Sequence, residues 1–119
     1  MNYFNLSEEQ RSWQLTARTL SENEIGPMAS ECDAMGEFPH NSLEALQREG
    51  LWALRVPKEH GGLGGDLLTT CLVVEEIAKK CPSTAMCYKM HLESVEAVTQ
   101  IHSDYQLDKF VKPLARGEL

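Results

Sequence analysis

The fold is decided by residues 60–80, which read HGGLGGDLLTTCLVVEEIAKK. Four glycines in the first six positions of this stretch predict a loop, because glycine takes left-handed backbone angles at little cost. Asp66 then suits the N-cap of a helix through Lys79 and Lys80, with an acid at its start and bases at its end. Eight of the twelve residues 67–78 are apolar, which predicts a helix that is buried on nearly all sides.

Helix signals also precede this stretch. Ser7 and Gln10 form a capping box, which predicts the start of a first helix. A short second helix is predicted over residues 27–36, because proline fits a first turn and glycine fits a helix end. A third helix is predicted between residues 39 and 49, with Gly50 as its positive-φ stop.

Two further helices are predicted after the stretch. Ser83 is expected to cap a long helix that extends to about Ile101. A second capping box at Ser103 predicts a last helix, which directs Phe110 and Val111 inward. The chain is therefore predicted to be all-α, a bundle of five to six helices.

Composition limits the classes of function. The chain has 119 residues and a formal net charge of −7, which predicts one domain, residues 1–119, without a basic surface for nucleic acid or an anionic membrane. No apolar run approaches the roughly 20 residues of a membrane span, and the N-terminus lacks a signal or transit composition. The four cysteines form no CxxC pair, which is typical of reduced thiols. We therefore expect a cytoplasmic protein.

Residue patterns for catalysis or metal binding are sparse. The glycine run lacks the residues of a nucleotide-phosphate loop and is followed by Asp66, so a structural loop is predicted. The four histidines show no helical pairing and match no zinc pattern, so no metal site is predicted. Cys71 and Cys87 are expected to be buried thiols and not nucleophiles. One of Glu75 and Glu76 is expected to face inward and to pair with an Arg or Lys.

His91 is the histidine with the most informative surroundings. It lies in the middle of a predicted helix, close in sequence to Met86 and Met90, where a polar group must find a partner or a ligand. A satisfied core histidine and a residue of an adaptable, methionine-lined pocket both fit this pattern. The residues alone indicate no more than an acidic helical domain.

Several sequence pieces together carry a resemblance. They are LSEEQ at 6–10, EIGP at 24–27, FP at 38–39, EGL at 49–51, VPKEHGGLGG at 56–65, VEEIA at 74–78, PSTA at 82–85 and KPLARGE at 112–118. Their order and spacing resemble the N-terminal helical domain of the acyl-CoA dehydrogenase family over residues 6–118. His102 departs from the family pattern, which commonly has glycine there.

The resemblance implies the N-terminal part of a longer enzyme that also has a middle β domain and a C-terminal helical domain. Such enzymes use FAD to oxidise an acyl-CoA thioester to the 2,3-enoyl form, pass electrons to an electron-transfer acceptor and form homo-oligomers, dimers or tetramers. The catalytic base and most flavin contacts belong to the other two domains. The resemblance therefore implies no catalytic residue in this chain, which alone is expected to be inactive and to hold no FAD.

What the chain contributes, by this resemblance, is one wall of the acyl pocket from the helix pair at residues 67–80 and 83–101. The residues expected to face that pocket are Met86, Met90, His91, Tyr88 and Ser94. A helix as apolar as residues 67–78 needs cover on every side, so the isolated chain is expected to expose an apolar face.

Two other functions stay open. One is a same-fold flavin-dependent monooxygenase or nitroalkane-oxidase-type relative, which a polar pocket residue such as His91 favours. The methionines beside His91 favour a plain acyl site instead. The other alternative, from a different class, is a non-catalytic helical interaction module.

Overall fold

The computed structural model describes residues 5–119, and every regular element in that range is helical. The α-helices are α1 (Glu8–Leu20), α2 (Gly26–Met35), α3 (His40–Arg48), α4 (Leu67–Ala78), α5 (Pro82–Gln100), α6 (Asp104–Gln106) and α7 (Lys112–Ala115). Two π-helical turns, Ser21–Ile25 and Leu107–Val111, join α1 to α2 and α6 to α7. Counted as continuous segments, these elements form five helices, which confirms the predicted all-α class.

The first segment differs from the prediction of two separate helices. Its start is confirmed: the Gln10 amide donates to Ser7 Oγ at 3.1 Å, and the Ser7 amide donates to Gln10 Oε1 at 3.0 Å. The chain then continues without a break, because the Gly26 amide donates to the Ser21 carbonyl in a π turn. Pro27 has no amide hydrogen to offer and is tolerated directly after this wider turn.

The glycine-rich loop is ordered by contacts with the segment before it, as a structural loop should be. The amides of Gly64 and Gly65 donate to the carbonyls of Val56 and Leu54 at 2.9 and 2.7 Å. At Gly62 the loop approaches the preceding segment so closely that a Cβ would lie 2.1 Å from the Val56 carbonyl oxygen. The loop therefore delivers Asp66 to a fixed position, where its carboxylate caps α4 through the Thr69 amide at 2.8 Å.

The main core lies where α4 packs between α1 and α5. Its largest buried side chains include Ile25, Leu46, Leu51, Ile77, Tyr88 and Leu92. A smaller cluster of Ala53, Val56, Val95 and Val111 lies under the C-terminal segment. The molecule is a slab of 42 × 38 × 19 Å, and α4 and α5 each keep an exposed side.

Two packing predictions and one predicted helix cap need correction. One side of α4 is open, since Leu67 is 69% exposed and Cys71 is exposed, not buried. Phe110 is 45% exposed, whereas Val111 is buried as predicted. The cap of α5 is Cys81 and not Ser83. None of the helices in the described range is long and apolar enough to cross a membrane.

Candidate functional site

Helix α5 begins with a sulfur cap. Cys81 Sγ accepts the Thr84 amide at 3.5 Å and the Thr84 hydroxyl at 3.0 Å. Pro82 occupies the first helical position, where its missing amide hydrogen costs nothing, so the residue before it becomes the cap. From this fixed start α5 runs for 19 residues, with one side in the core and exposed side chains on the opposite side.

The open side of α5 carries three of the predicted pocket residues. Met86 and Met90 are 60% and 53% exposed, and Ser94 is exposed one helical turn further on. Their spacing of four residues places them in one line along the helix. We call Met86, Met90 and Ser94 the α5 line.

Tyr88 does not join this line. It is buried, and its hydroxyl donates to the Leu51 carbonyl at 2.6 Å. Burial raises the pKa of the Tyr88 phenol far above its ordinary value. Tyr88 therefore ties α5 to the turn that follows α3, and its polar group is already satisfied inside the domain.

His91 is half-buried, so its exposure lies between that of the α5 line and that of Tyr88. Its ring stacks on Trp52 with centroids 3.6 Å apart and planes 18° from parallel, and its Nε2 lies 2.8 Å from the Trp52 carbonyl oxygen. Because a carbonyl oxygen only accepts, Nε2 carries the hydrogen. Burial lowers the pKa of His91, and the hydrogen bond to Trp52 only partly opposes this effect. Burial therefore favours the neutral form of the imidazole.

His91 and Ser94 also line a groove between α5 and the C-terminal segment. The groove has a volume of about 190 Å³, and its other lining residues are Val95, Val98, Phe110, Val111 and Leu114. We call it the C-terminal groove. The α5 line therefore leads from two exposed methionines into an apolar groove with His91 at its edge.

A second groove, about 360 Å³ in volume, lies on the other side of α5 and was not predicted. Its apolar floor comes from Leu67, Cys71, Val74 and Leu92. Two ion pairs border it: Lys89 with Glu93 at 2.7 Å, and Arg55 with Glu96. The available signal was the number of apolar residues in 67–74, six of eight, which is more than the contacts of α4 with α1 and α5 cover.

Glu76 is the inward-facing acid that the sequence predicted. Its side chain is 3% exposed, and Arg18 donates to its two oxygens at 3.2 and 3.0 Å. Lys79 adds a third contact at 3.1 Å. The Arg18 hydrogen bonds hold the pKa of Glu76 below its ordinary value despite burial. This carboxylate is structural, because its contacts with Arg18 and Gln14 join α1 to α4.

The described residues do not fit FAD by themselves. A dinucleotide needs a deep concave site, whereas the two grooves beside α5 are open and have volumes of about 190 and 360 Å³. The start of α4 is occupied by the Asp66 carboxylate, and the Thr69 hydrogen bonds lower its pKa and keep it charged. Residues 5–119 also contain no group of three His, Cys, Asp or Glu side chains that could hold a metal ion.

Comparison with known proteins agrees with this architecture. The family model described as acyl-CoA dehydrogenase, N-terminal domain, matches residues 7–118. The short-chain-specific acyl-CoA dehydrogenase of Clostridium acetobutylicum is 34% identical over 116 residues, which are 97% of this chain and 31% of that protein. The 3-sulfinopropanoyl-CoA desulfinase of Paraburkholderia xenovorans is 32% identical over 116 residues, 97% of this chain and 30% of that protein.

A solved structure shows the same fold. Butyryl-CoA dehydrogenase from Megasphaera elsdenii superimposes with a TM-score of 0.87 at 27% sequence identity and covers 96% of this chain. The match takes up 31% of that chain, so the present sequence spans about a third of the length of such relatives. The chain belongs to the acyl-CoA dehydrogenase family, and it corresponds to the N-terminal helical domain of that family.

Proposed function

We propose that residues 1–119 form one wall of the acyl pocket in a longer FAD-dependent acyl-CoA dehydrogenase that converts an acyl-CoA thioester to its 2,3-enoyl form. The names of the three relatives above each contain a CoA thioester, which supports this substrate class. Because the chain spans about 30% of such proteins, we assign the catalytic base to the middle β and C-terminal helical parts of the longer protein.

The observation that carries the proposal is the α5 line. Met86 and Met90 expose large, flexible apolar side chains in succession on a helix whose other side is firmly packed. Methionine surfaces adapt to apolar ligands of different shape, and an exposed apolar strip is a feature of binding faces. Met86 and Met90 are therefore assigned to contact with the acyl chain, with His91 and Ser94 at its far end. Tyr88, on the core side of α5, is assigned a supporting role.

The remaining components are assigned to the complete protein. FAD, when bound, supplies the hydride acceptor for the oxidation. This chain contributes apolar contact and the exclusion of water, and it is not proposed to hold FAD alone. An electron-transfer protein would receive the electrons. We further propose a cytoplasmic homo-oligomer, dimer or tetramer, and the four unpaired thiols support a reducing location.

The test uses the complete open reading frame that contains residues 1–119, assayed for butyryl-CoA oxidation with an artificial electron acceptor. Met90→Asp places a charge against the acyl chain and is expected to raise KM at least tenfold, because an unpaired charge in an apolar site is costly. Met35→Asp is the matched control. Met35 is 65% exposed on α2, and its change should leave KM unchanged.

Product analysis separates the competing functions. The 2,3-enoyl thioester is the expected product. A hydroxylated product with consumption of dioxygen would contradict the proposal in favour of the monooxygenase relatives. No turnover and no binding of any acyl-CoA would contradict it in favour of an interaction module.

A further inference from the structure

Helices α2 and α3 meet at a corner that contains a pocket of its own. The pocket has a volume of about 310 Å³, and its lining residues all lie between Met28 and Ser42. This volume is at the lower end of the range for small-molecule sites, roughly 300–1,000 Å³. We call it the corner pocket. It shares no lining residue with the two grooves beside α5, so it is independent of the proposed acyl pocket.

The start of α3 presents hydrogen-bond donors to the corner pocket. The N-cap is Pro39, which makes no side-chain cap, and the first turn of α3 contains no acid. Two of the first four amides of α3 donate to the carbonyls of Phe38 and Pro39, at 2.8 and 3.1 Å. The other two, those of Asn41 and Ser42, have no acceptor among residues 5–119. Because a helix start also carries a partial positive charge, this wall favours an anionic oxygen.

The Ser42 side chain adds a hydroxyl to these amides. Ser42 is only 4% exposed, and its Oγ has no hydrogen-bond partner in the described part of the chain. Within that part, Ser21 Oγ is the only fully enclosed side-chain oxygen or nitrogen that lacks a partner. Ser42 Oγ is therefore accessible, and the small accessible surface of Ser42 lies in the pocket that it lines. Since buried polar groups are normally hydrogen-bonded, this hydroxyl points to a ligand.

The end of α2 gives the opposite wall the opposite charge. Gly36 ends this helix with a φ of 63°, and the last turn contains no base. The Glu37 amide donates to the Cys32 carbonyl at 3.1 Å, which fixes the backbone of the turn. Glu31 and Glu37 both line the pocket, and its described lining includes no Lys or Arg. Because a helix end carries a partial negative charge, this wall favours a cationic group.

We propose that the corner pocket binds a small zwitterion, an α-amino acid with an apolar side chain. The ligand carboxylate accepts hydrogen bonds from the amides of Asn41 and Ser42 and from the Ser42 hydroxyl. The ligand ammonium group lies at the end of α2, beside Glu31 and Glu37. One ligand thus supplies the acid that the start of α3 lacks and the base that the end of α2 lacks.

A ligand with a single charge fits the corner pocket less well. A simple anion would meet Glu31 and Glu37 without a cation of its own to offset them. A simple amine would leave the Ser42 hydroxyl without an acceptor. Met28 and Phe38 also line the pocket, and Phe38 is 55% exposed. These two residues give an apolar ligand side chain a surface to contact.

The experiment measures binding directly and needs no flavin or turnover. The 119-residue chain, labelled with nitrogen-15, is titrated with L-leucine. We expect saturable shifts of the Asn41 and Ser42 amide resonances, with a midpoint at or below about 1 mM. Two analogues each lack one charge: 4-methylpentanoate has no ammonium group, and 3-methylbutan-1-amine has no carboxylate. Each should bind at least about tenfold more weakly, because it loses a charge-assisted contact.

Two variants test the two walls separately. Ser42→Ala removes the hydroxyl and should weaken L-leucine binding about fivefold, whereas Ser30→Ala, at an exposed position of α2 that does not line the pocket, should not. Glu31→Gln removes a carboxylate charge and should weaken binding severalfold. Glu44→Gln is its control, because it makes the same change in net charge at an exposed position of α3 outside the pocket.

Several outcomes would overturn the inference. They are no binding of L-leucine, equal binding of either analogue, and an affinity that survives both Ser42→Ala and Glu31→Gln. Calorimetric titration of the complete protein should give the same order of the three compounds, and loss of L-leucine binding there would overturn the inference as well. Because acyl-CoA oxidation is not the readout, failure of the proposed function would leave this result unaffected.

Discussion

Trp52 and His91 are joined twice, by a ring stack at 3.6 Å and by a hydrogen bond from the imidazole to the Trp52 main-chain carbonyl. The pair connects the turn after α3 to the outer part of α5. A neutral imidazole is favoured at this place, because protonation would put a charge into a partly desolvated contact. The stability of the domain should therefore depend on the protonation of His91.

We expect the free energy of unfolding to fall as the pH drops below about 6.5, the ordinary pKa of histidine. The folded state has the lower His91 pKa, so the unfolded state binds the proton first, and the contribution is complete only above the ordinary value. Urea unfolding at pH 7.5 and 5.5 measures the loss, which should be smaller in His91→Phe. Equal losses in the two proteins would contradict the prediction.

Tyr88→Phe should destabilise the domain by about 1 to 2 kcal/mol, because the buried Leu51 carbonyl then lacks its donor. Tyr105→Phe is the control, since Tyr105 is 68% exposed and its change should stay within about 0.5 kcal/mol. Denaturant unfolding of both variants gives the comparison. Similar values would show that the Tyr88 hydroxyl does not contribute.

Arg18→Met should lower the free energy of unfolding, since it leaves the buried Glu76 carboxylate with Lys79 as its remaining charged contact. Solvent screening limits the loss, because Arg18 itself is 47% exposed. Arg48→Met removes an exposed pair with Glu24 and should lower the free energy of unfolding less than Arg18→Met does. Thermal or urea unfolding of the two variants measures both losses, and a larger loss for Arg48→Met than for Arg18→Met would refute the structural role of Glu76.

Gly62→Ala and Gly36→Ala separate two reasons for glycine. At Gly62 the new methyl group would meet the Val56 backbone at 2.1 Å, so a loss of about 3 kcal/mol is expected. At Gly36 there is open space but a φ of 63°, which costs an alanine about 1 kcal/mol. Unfolding measurements should show the larger loss at Gly62, and comparable losses would mean that the loop adjusts.

Local signals predicted the helix starts well. The capping boxes at Ser7 and Ser103 and the cap at Asp66 formed as expected, because each depends only on residues within one turn. The prediction that Ser83 caps α5 was wrong, and the reason is also local. Pro82 takes the first helical position and moves the cap to Cys81, whose sulfur is a weaker acceptor than the serine oxygen expected.

Exposure was harder to predict because it depends on which neighbours are present. Cys71 looked buried from its apolar surroundings, yet α4 has a contact face on one side only, and Cys71 lies on the other. Tyr88 could have been excluded from the α5 line, since two residues correspond to about 200° around a helix and place it opposite Met86. The partner of His91 could not be predicted, because Trp52 lies 39 residues earlier in the chain.

The π turn at Ser21–Ile25 changes the phase of the long first segment. A π turn accommodates one residue more than an α turn, so the helical frame of α2 is rotated by about 100° from the frame that α1 would continue. Ser21 and Ile25, four residues apart, are both buried by this arrangement. Deleting one residue within the turn would produce an uninterrupted α-helix in which the side chains of α2, each one position earlier in the chain, keep their present directions. The segment is therefore one continuous rod with two helical frames, and the extra residue sets the rotation of one frame relative to the other about the rod axis.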